Sequence, residues 1–115
     1  MLALSLAAAV STAVAQNSSD GQKAFEQCAA CHSTAKGVNG VGPSLFGVVG
    51  RKAASVPGFT YSSAMKNSNL TWTAQNLDAY IANPQQKVPG NHMPYSGMPD
   101  AQERAAVVAY LQSPH

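Results

Sequence analysis

The chain has 115 residues, of which only 10% are charged, and its seven Lys and Arg against five Asp and Glu give a formal net charge of +2. A chain of this length predicts one small domain. Such a domain buries only part of its surface, so its stability is often marginal without added support. The low charge excludes the dense basic patch that nucleic acid binding requires. We therefore expect no nucleic-acid partner.

Residues 1–15 carry no charged side chain and consist almost entirely of Leu, Ala, Val, Ser and Thr. They end in Ala13-Val14-Ala15, an A-x-A pattern typical of signal peptide cleavage, although no Lys or Arg precedes the apolar run. The run is shorter than the ~20 apolar residues that span a bilayer. We expect a signal peptide over residues 1–15, cleaved after Ala15, and a mature domain over residues 16–115 that is exported to the periplasm and is not embedded in a membrane.

The first predicted helix runs from about Asp20 to Cys28. Asp20 and the two serines before it are suitable N-cap residues. Ala24, Phe25 and Cys28 fall on one face at helical spacing. This face predicts packing against the rest of the domain.

The run Cys28-Ala29-Ala30-Cys31-His32 is a C-x-x-C-H signature of covalent haem attachment. Residues three apart share a helix face, so both sulfurs can reach the same porphyrin edge while the imidazole is directed toward the iron. A thioredoxin-like pair needs a βαβ context, zinc usually needs four ligands, and a disulfide this short stabilises little. The run predicts one haem c, attached through two thioethers and ligated by His32.

Two further helices are predicted in the second half of the chain, and residues 62–66 can form a one-turn helix. One main helix covers about Thr73 to Ala82 and is ended by Asn83-Pro84. The last begins at Asp100 and ends before Pro114. No alternating strand pattern of useful length is present, so the fold class is all-α.

Glycine and proline between these helices predict three long loops, over residues 37–43, 50–58 and 84–99. Long ordered loops in a compact domain need a structural reason, and an enclosed cofactor supplies one. We expect the chain to wrap the haem in loops.

The sixth iron ligand decides between electron transfer and the binding of small molecules. The thioether candidates are Met65, Met93 and Met98. Met93 follows a Pro-Gly turn that can bring its loop back over the haem, whereas Met65 in the short helix is expected in the core. Met98 lies in a similar loop and remains the main rival.

Several ordered motifs match one known family. They are Gly42-Pro43-Ser44-Leu45, residues 47–52, residues 57–61, Leu70-Thr71-Trp72, residues 83–93 and Ala109-Tyr110-Leu111. With the haem motif, they make the chain resemble a class I cytochrome c of the mitochondrial and bacterial type across residues 16–115. The resemblance implies a small cytochrome c fold, with three main helices, short helical turns and long loops around one covalent haem.

The resemblance also implies roles for individual residues. Met93 stands at the position of the sixth ligand, and Tyr80 stands beside its sulfur. Pro43 stands where a backbone carbonyl accepts a hydrogen bond from the proximal imidazole, which fixes the ring.

Three further residues, Arg51, Tyr61 and Trp72, stand at the positions that bind the inner propionate, because a buried carboxylate needs donors or a counter-charge. Gly21 and Phe25 match the first helix where it crosses the last one near Tyr110.

The chain departs from the family around the exposed haem edge, where mitochondrial-type proteins carry lysines. Gln85, Gln86 and His92 occupy three of those positions, and Lys87 lies nearby. Fewer charge pairs across an interface predict partner binding that depends less on salt.

The resemblance implies a soluble monohaem electron carrier and not an enzyme. Its partners would be membrane redox complexes, such as those of a respiratory chain, or a periplasmic dehydrogenase or oxidase, docked transiently at the haem edge. We expect a monomer. The alternative is a haem protein with a labile sixth ligand that binds small ligands or peroxide.

Overall fold

The computed structural model describes residues 10–113 of the chain, and the side chains of residues 19–113. The described residues form five helices: α1 (Val10–Ala29), α2 (Ser63–Lys66), α3 (Ala74–Ala82), α4 (Pro84–Lys87) and α5 (Ala101–Gln112). Within this part of the chain, the β structure is an isolated antiparallel bridge between Lys52 and Thr71. The predicted all-α class with three main helices and long loops is confirmed.

The first helix is longer than the sequence predicted. It ends at Ala29, close to the expected position, but it begins at Val10, so Asp20 lies inside α1 and does not cap it. Ser, Asp and Asn favour the N-cap, but they also occur within helices, and Asp20 is such a case. Residues 1–9 of the predicted signal peptide lie outside the described residues, so cleavage after Ala15 stays a prediction.

Helices α1 and α5 cross in direct contact at Gly21. A Cβ built on Gly21 would lie 2.8 Å from Cβ of Tyr110 and would overlap the carbonyl oxygen of Ala106. One turn further along α1, the ring of Phe25 lies 5.3 Å from that of Tyr110, measured between centroids. The close approach is the one that the resemblance implied for Gly21, and it brings the C-terminal end of α1 against the core.

The caps of α3 and α5 follow the predicted starts. Thr73 Oγ1 accepts a hydrogen bond from the Asn76 N–H (3.1 Å), and Asp100 Oδ1 accepts from the backbone N–H groups of Gln102 (2.8 Å) and Glu103 (3.2 Å). A side-chain oxygen at the N-cap satisfies donors that have no partner inside the helix.

The residues of α3 and α5 that face inward form the centre of the core. They are Leu77, Tyr80 and Ile81 on α3 and Val107, Val108 and Leu111 on α5. Among the described residues, no helix is long and apolar enough to cross a bilayer.

Helix α4 corrects the sequence prediction, which assigned residues 84–99 to a loop. Residues Pro84–Lys87 form a helical turn, with the Asn83 side chain accepting a hydrogen bond from the Gln86 N–H (3.2 Å). An Asn cap followed by proline at the first helical position is a helix start signal. Asn83-Pro84 therefore ends α3 and also begins α4.

The crossing of α1 and α5 can be tested with Gly21→Ala. Alanine favours a helix over glycine by about 1 kcal/mol, but its methyl group would push the two backbones apart. We expect a net loss of about 1–2 kcal/mol in the free energy of unfolding, measured by denaturant titration of the haem-loaded protein. Gln22→Ala, an exposed change on the same turn, is the matched control. Greater stability in Gly21→Ala would contradict direct backbone contact.

Candidate functional site

The C-x-x-C-H run continues the last turn of α1. The backbone N–H groups of Cys31 and His32 both donate to the carbonyl oxygen of Cys28, at 3.1 and 2.9 Å. Both cysteines are free and half-buried. Burial, with a smaller contribution from the neighbouring Cys31, raises the pKa of the Cys28 thiol. The run therefore presents two adjacent thiols at the edge of the core, and Cys28 packs against the buried cluster.

His32 is held by a hydrogen bond from Nδ1 to the carbonyl oxygen of Pro43 (2.7 Å). Burial lowers the pKa of the imidazole, the Pro43 carbonyl opposes that shift, and the positive charge of Arg51 adds to the lowering. A neutral ring whose Nδ1–H points at a carbonyl keeps its Nε2 lone pair for a metal. The geometry thus suits His32 as an axial ligand.

Gly42 lies directly against the His32 ring. A Cβ built on Gly42 would lie 2.7 Å from both ring nitrogens, so only glycine allows the loop to pass this close. The backbone N–H of Gly42 also donates to the carbonyl of Cys31 (2.9 Å). These contacts hold the Gly42 loop and the His32 ring in one relative orientation.

The zinc alternative for this run gains no support. Across the residues that the structure describes, no three His, Cys, Asp or Glu side chains cluster as a metal site would require.

The three candidate methionines lie in different environments. Met98 is only 2% exposed, and its N–H donates to the Ile81 carbonyl (2.9 Å), so it belongs to the core. Met65 lies in α2, and it is half-buried against the core. Met93 is half-buried in an extended segment at the edge of the core. Of the two loop methionines, Met93 is the one that is only partly buried by the protein.

The backbone around Met93 is fixed by Asn91, a residue that the sequence analysis did not single out. Asn91 is 6% exposed, and its Nδ2 donates to the carbonyls of Pro84 and Val88, both at 2.9 Å. Its Oδ1 accepts from the Met93 N–H at 2.8 Å. Asparagine after a Pro-Gly pair is a turn signal that could have predicted this role.

The far end of the same segment is fixed by Arg104 on α5. Its Nε forms an ion pair with Asp78 Oδ1 (2.9 Å), and its Nη1 donates to the carbonyls of Met98 and Pro99, both at 2.9 Å. Gly97, with a φ of 122°, passes directly over the carbonyl end of Ala82 in α3. The segment is thus tied to α3 and α5 beyond Met93.

The structure brings the backbones of Arg51 and Trp72 together, since the backbone N–H of Trp72 donates to the backbone carbonyl of Arg51 (2.8 Å). Arg51 Nη1 donates to the Phe46 carbonyl (2.9 Å), while Nε is buried and has no partner among the described residues. Burial lowers the pKa of the Arg51 guanidinium, and Tyr61 partly opposes this. A buried guanidinium N–H needs an acceptor, and a propionate carboxylate is one.

Tyr61 and Tyr80 complete the predicted set. The Tyr61 hydroxyl accepts from the Val56 N–H (3.1 Å), so its own hydrogen is left to donate elsewhere. The ring of Tyr80 packs on Trp72, with centroids 5.0 Å apart. Burial raises the pKa of Tyr80 to about 12, so its hydroxyl stays protonated. The donor set as a whole, with two thiols, an imidazole, a thioether and an orphaned guanidinium N–H, fits haem c.

The family model described as Cytochrome c matches residues 18–114 of the chain. The chain is 43% identical over 108 residues to cytochrome c2 of Blastochloris viridis, covering 93% of this chain and 85% of the relative. It is 52% identical over 92 residues to cytochrome c2 of Rhodoblastus acidophilus, covering 79% and 86%. The solved structure of cytochrome cH from Methylobacterium extorquens matches with a TM-score of 0.78 and 43% identity, over 83% of this chain and 96% of that one.

Gly42→Ala tests the close packing against His32. The added methyl group would overlap the imidazole and displace either the ring or the Pro43 carbonyl. We expect a loss of about 2 kcal/mol in the unfolding free energy of the haem-loaded protein, measured with guanidinium. Val41→Ala, at the exposed neighbouring position, is the control. Equal stability of the two variants would show that the ring does not depend on this glycine.

Arg51→Met tests the role of the orphaned guanidinium. Removing a positive charge near the iron favours the oxidised state, so we expect a lower reduction potential. A Coulomb energy of about 1 kcal/mol corresponds to a shift on the order of 40 mV for one electron. Potentiometric titration measures the shift, and Lys52→Met, an exposed change of the same charge, is the control. Equal shifts of the potential in both variants would show that Arg51 acts only as a solvated surface charge.

Proposed function

Since the chain belongs to the cytochrome c family, we propose that it is a monohaem electron carrier, with His32 and Met93 as the two axial ligands of a haem c bound through Cys28 and Cys31. The observation that carries the proposal is the fixed backbone of Met93, held by a buried Asn91 whose side-chain amide makes three hydrogen bonds. A rigid sixth ligand suits electron transfer, because the coordination then stays the same in both oxidation states.

Haem c supplies a one-electron iron couple, and the chain's own residues set the conditions for it. His32 stays neutral and keeps its orientation through Pro43. Arg51, with Tyr61 and Trp72, offers donors to a propionate, which lowers the free energy of placing a carboxylate away from water. Tyr80 and Trp72 belong to the buried cluster, which excludes water from the core beside them.

We propose that the protein is not an enzyme, because the acidic groups of its second half have structural roles. Asp78 pairs with Arg104, and Asp100 caps α5. Glu103 is exposed on α5, and His92 is exposed beside Met93.

We also propose that residues 1–15 direct export, and that the domain works as a monomer in the periplasm. Its partners would be membrane redox complexes or a periplasmic dehydrogenase or oxidase, in keeping with its similarity to cytochromes c2. Docking would be transient and at the haem edge, where Gln85, Gln86 and His92 are exposed and replace the lysines of mitochondrial-type proteins. Such an interface should respond less to ionic strength than a ring of lysines.

Met93→Ala tests the ligand assignment and separates the carrier from a haem protein with a labile ligand. The wild-type protein should show the weak far-red sulfur-to-iron charge-transfer band when oxidised, and should bind carbon monoxide poorly when reduced. The variant should lose the band and bind carbon monoxide readily, as optical titration would show. Met98→Leu is the control and should keep the band, because Met98 is buried in the core. A wild-type protein without the band would favour the labile site.

A further inference from the structure

Gln85 makes two hydrogen bonds to the main chain of the loop that leads to Met93. This loop, residues 88–93, is called the Met93 loop below. The Oε1 atom of Gln85 accepts from the Gly90 N–H at 3.1 Å, and its Nε2 atom donates to the carbonyl oxygen of Asn91 at 2.9 Å. One exposed side chain on α4 thus grips two successive residues of the loop.

The gripped residues are those that determine the path of the loop. Gly90 has a φ of 89°, a conformation that glycine adopts without strain and that turns the chain at this point. Asn91 connects directly to Met93 through its Oδ1 atom. Asn91 holds the loop from the buried side through Pro84 and Val88, while Gln85 holds it from the solvent side.

We propose that Gln85 is a positioning residue that keeps the Met93 loop closed, and so keeps the thioether at the iron. This inference rests on the ligation of Met93 in the proposed function. It gives Gln85 a role within the ligand loop in addition to its place at the exposed surface.

The two hydrogen bonds of Gln85, called the clamp below, require a side-chain amide. Glutamine offers one acceptor and two donor hydrogens, whereas lysine only donates and an ionised glutamate only accepts. Methionine has a similar length and offers neither as a strong group. Gln85→Lys therefore removes the acceptor for the Gly90 N–H, and Gln85→Glu removes the donor to the Asn91 carbonyl. Gln85→Met removes both.

Gln86 is the matched control position. It neighbours Gln85 on α4 and is also exposed, and the structure shows no hydrogen bond from its side chain to any described residue. A lysine, glutamate or methionine at position 86 makes the same change of charge and size without touching the clamp.

The experiment uses the oxidised, haem-loaded full chain and titrates it with imidazole, a small ligand that competes with Met93 for iron. Loss of both hydrogen bonds should raise the apparent imidazole affinity of Gln85→Met about tenfold, and loss of one should raise that of Gln85→Lys and Gln85→Glu about threefold. The corresponding Gln86 variants should stay within about twofold of the wild type. Hydrogen exchange of the Gly90 amide should accelerate in Gln85→Met and Gln85→Lys, which lack its acceptor, and not in Gln86→Met.

Equal imidazole affinities in the Gln85 and Gln86 series would overturn the clamp. The proposed function would survive that result if the wild type shows the far-red band and Met93→Ala loses it. Absence of the band from the wild type would instead overturn the ligand assignment and the clamp with it. If Gln85→Met fails to load haem, the comparison of Gln85→Lys and Gln85→Glu with their Gln86 counterparts decides the question.

Discussion

The hydrogen bond from His32 Nδ1 to the Pro43 carbonyl is the contact on which the rest of the site depends. Residues 30–62 contain no helix, so the backbone of this region cannot satisfy its own polar groups by regular structure. The imidazole serves as one of the partners, and it gains a fixed orientation in return. Gly42 makes this possible, because any larger residue would collide with the ring.

The Met93 side of the site is organised differently. There the loop backbone is fixed by amide side chains, with Asn91 buried beneath it and Gln85 exposed above it. Both amides act on main-chain atoms, so neither reads the identity of its neighbour. The two proposed axial ligands are therefore positioned by opposite means: a ligand side chain that binds a loop on one side, and a loop bound by side chains on the other.

Much of the fold followed from local signals. Thr73 and Asp100 are strong caps, and the apolar spacing after each of them is regular, so α3 and α5 were predictable to within a residue. The start of α1 was not, because serine and aspartate favour the N-cap but also occur within helices, as Ser18, Ser19 and Asp20 do here. Helix α4 was missed because proline was taken as a stop, although proline also begins helices.

The residues of the site also divide into those that the sequence identifies and those that it does not. Spacing alone identified Cys28, Cys31 and His32, and the resemblance indicated Met93, Pro43 and Arg51. The burial of Met98, which separates it from Met93, depends on how α3 and the last loop pack, and no local pattern encodes that. The roles of Asn91 and Gln85 depend on hydrogen bonds between residues up to seven positions apart across a turn, and polar residues in a loop carry no periodic signal.

If Met93 is the sixth ligand, as proposed, the hydrogen bonds from Arg104 to Met98 and Pro99 limit how far its sulfur would travel after leaving the iron. A segment anchored at both ends samples a small volume, so the thioether remains at a high effective concentration near the metal. An external ligand would then compete against this tethered sulfur and not against a free one. Arg104, which also pairs with Asp78 across α3 and α5, would favour the sulfur in that competition by keeping the span short.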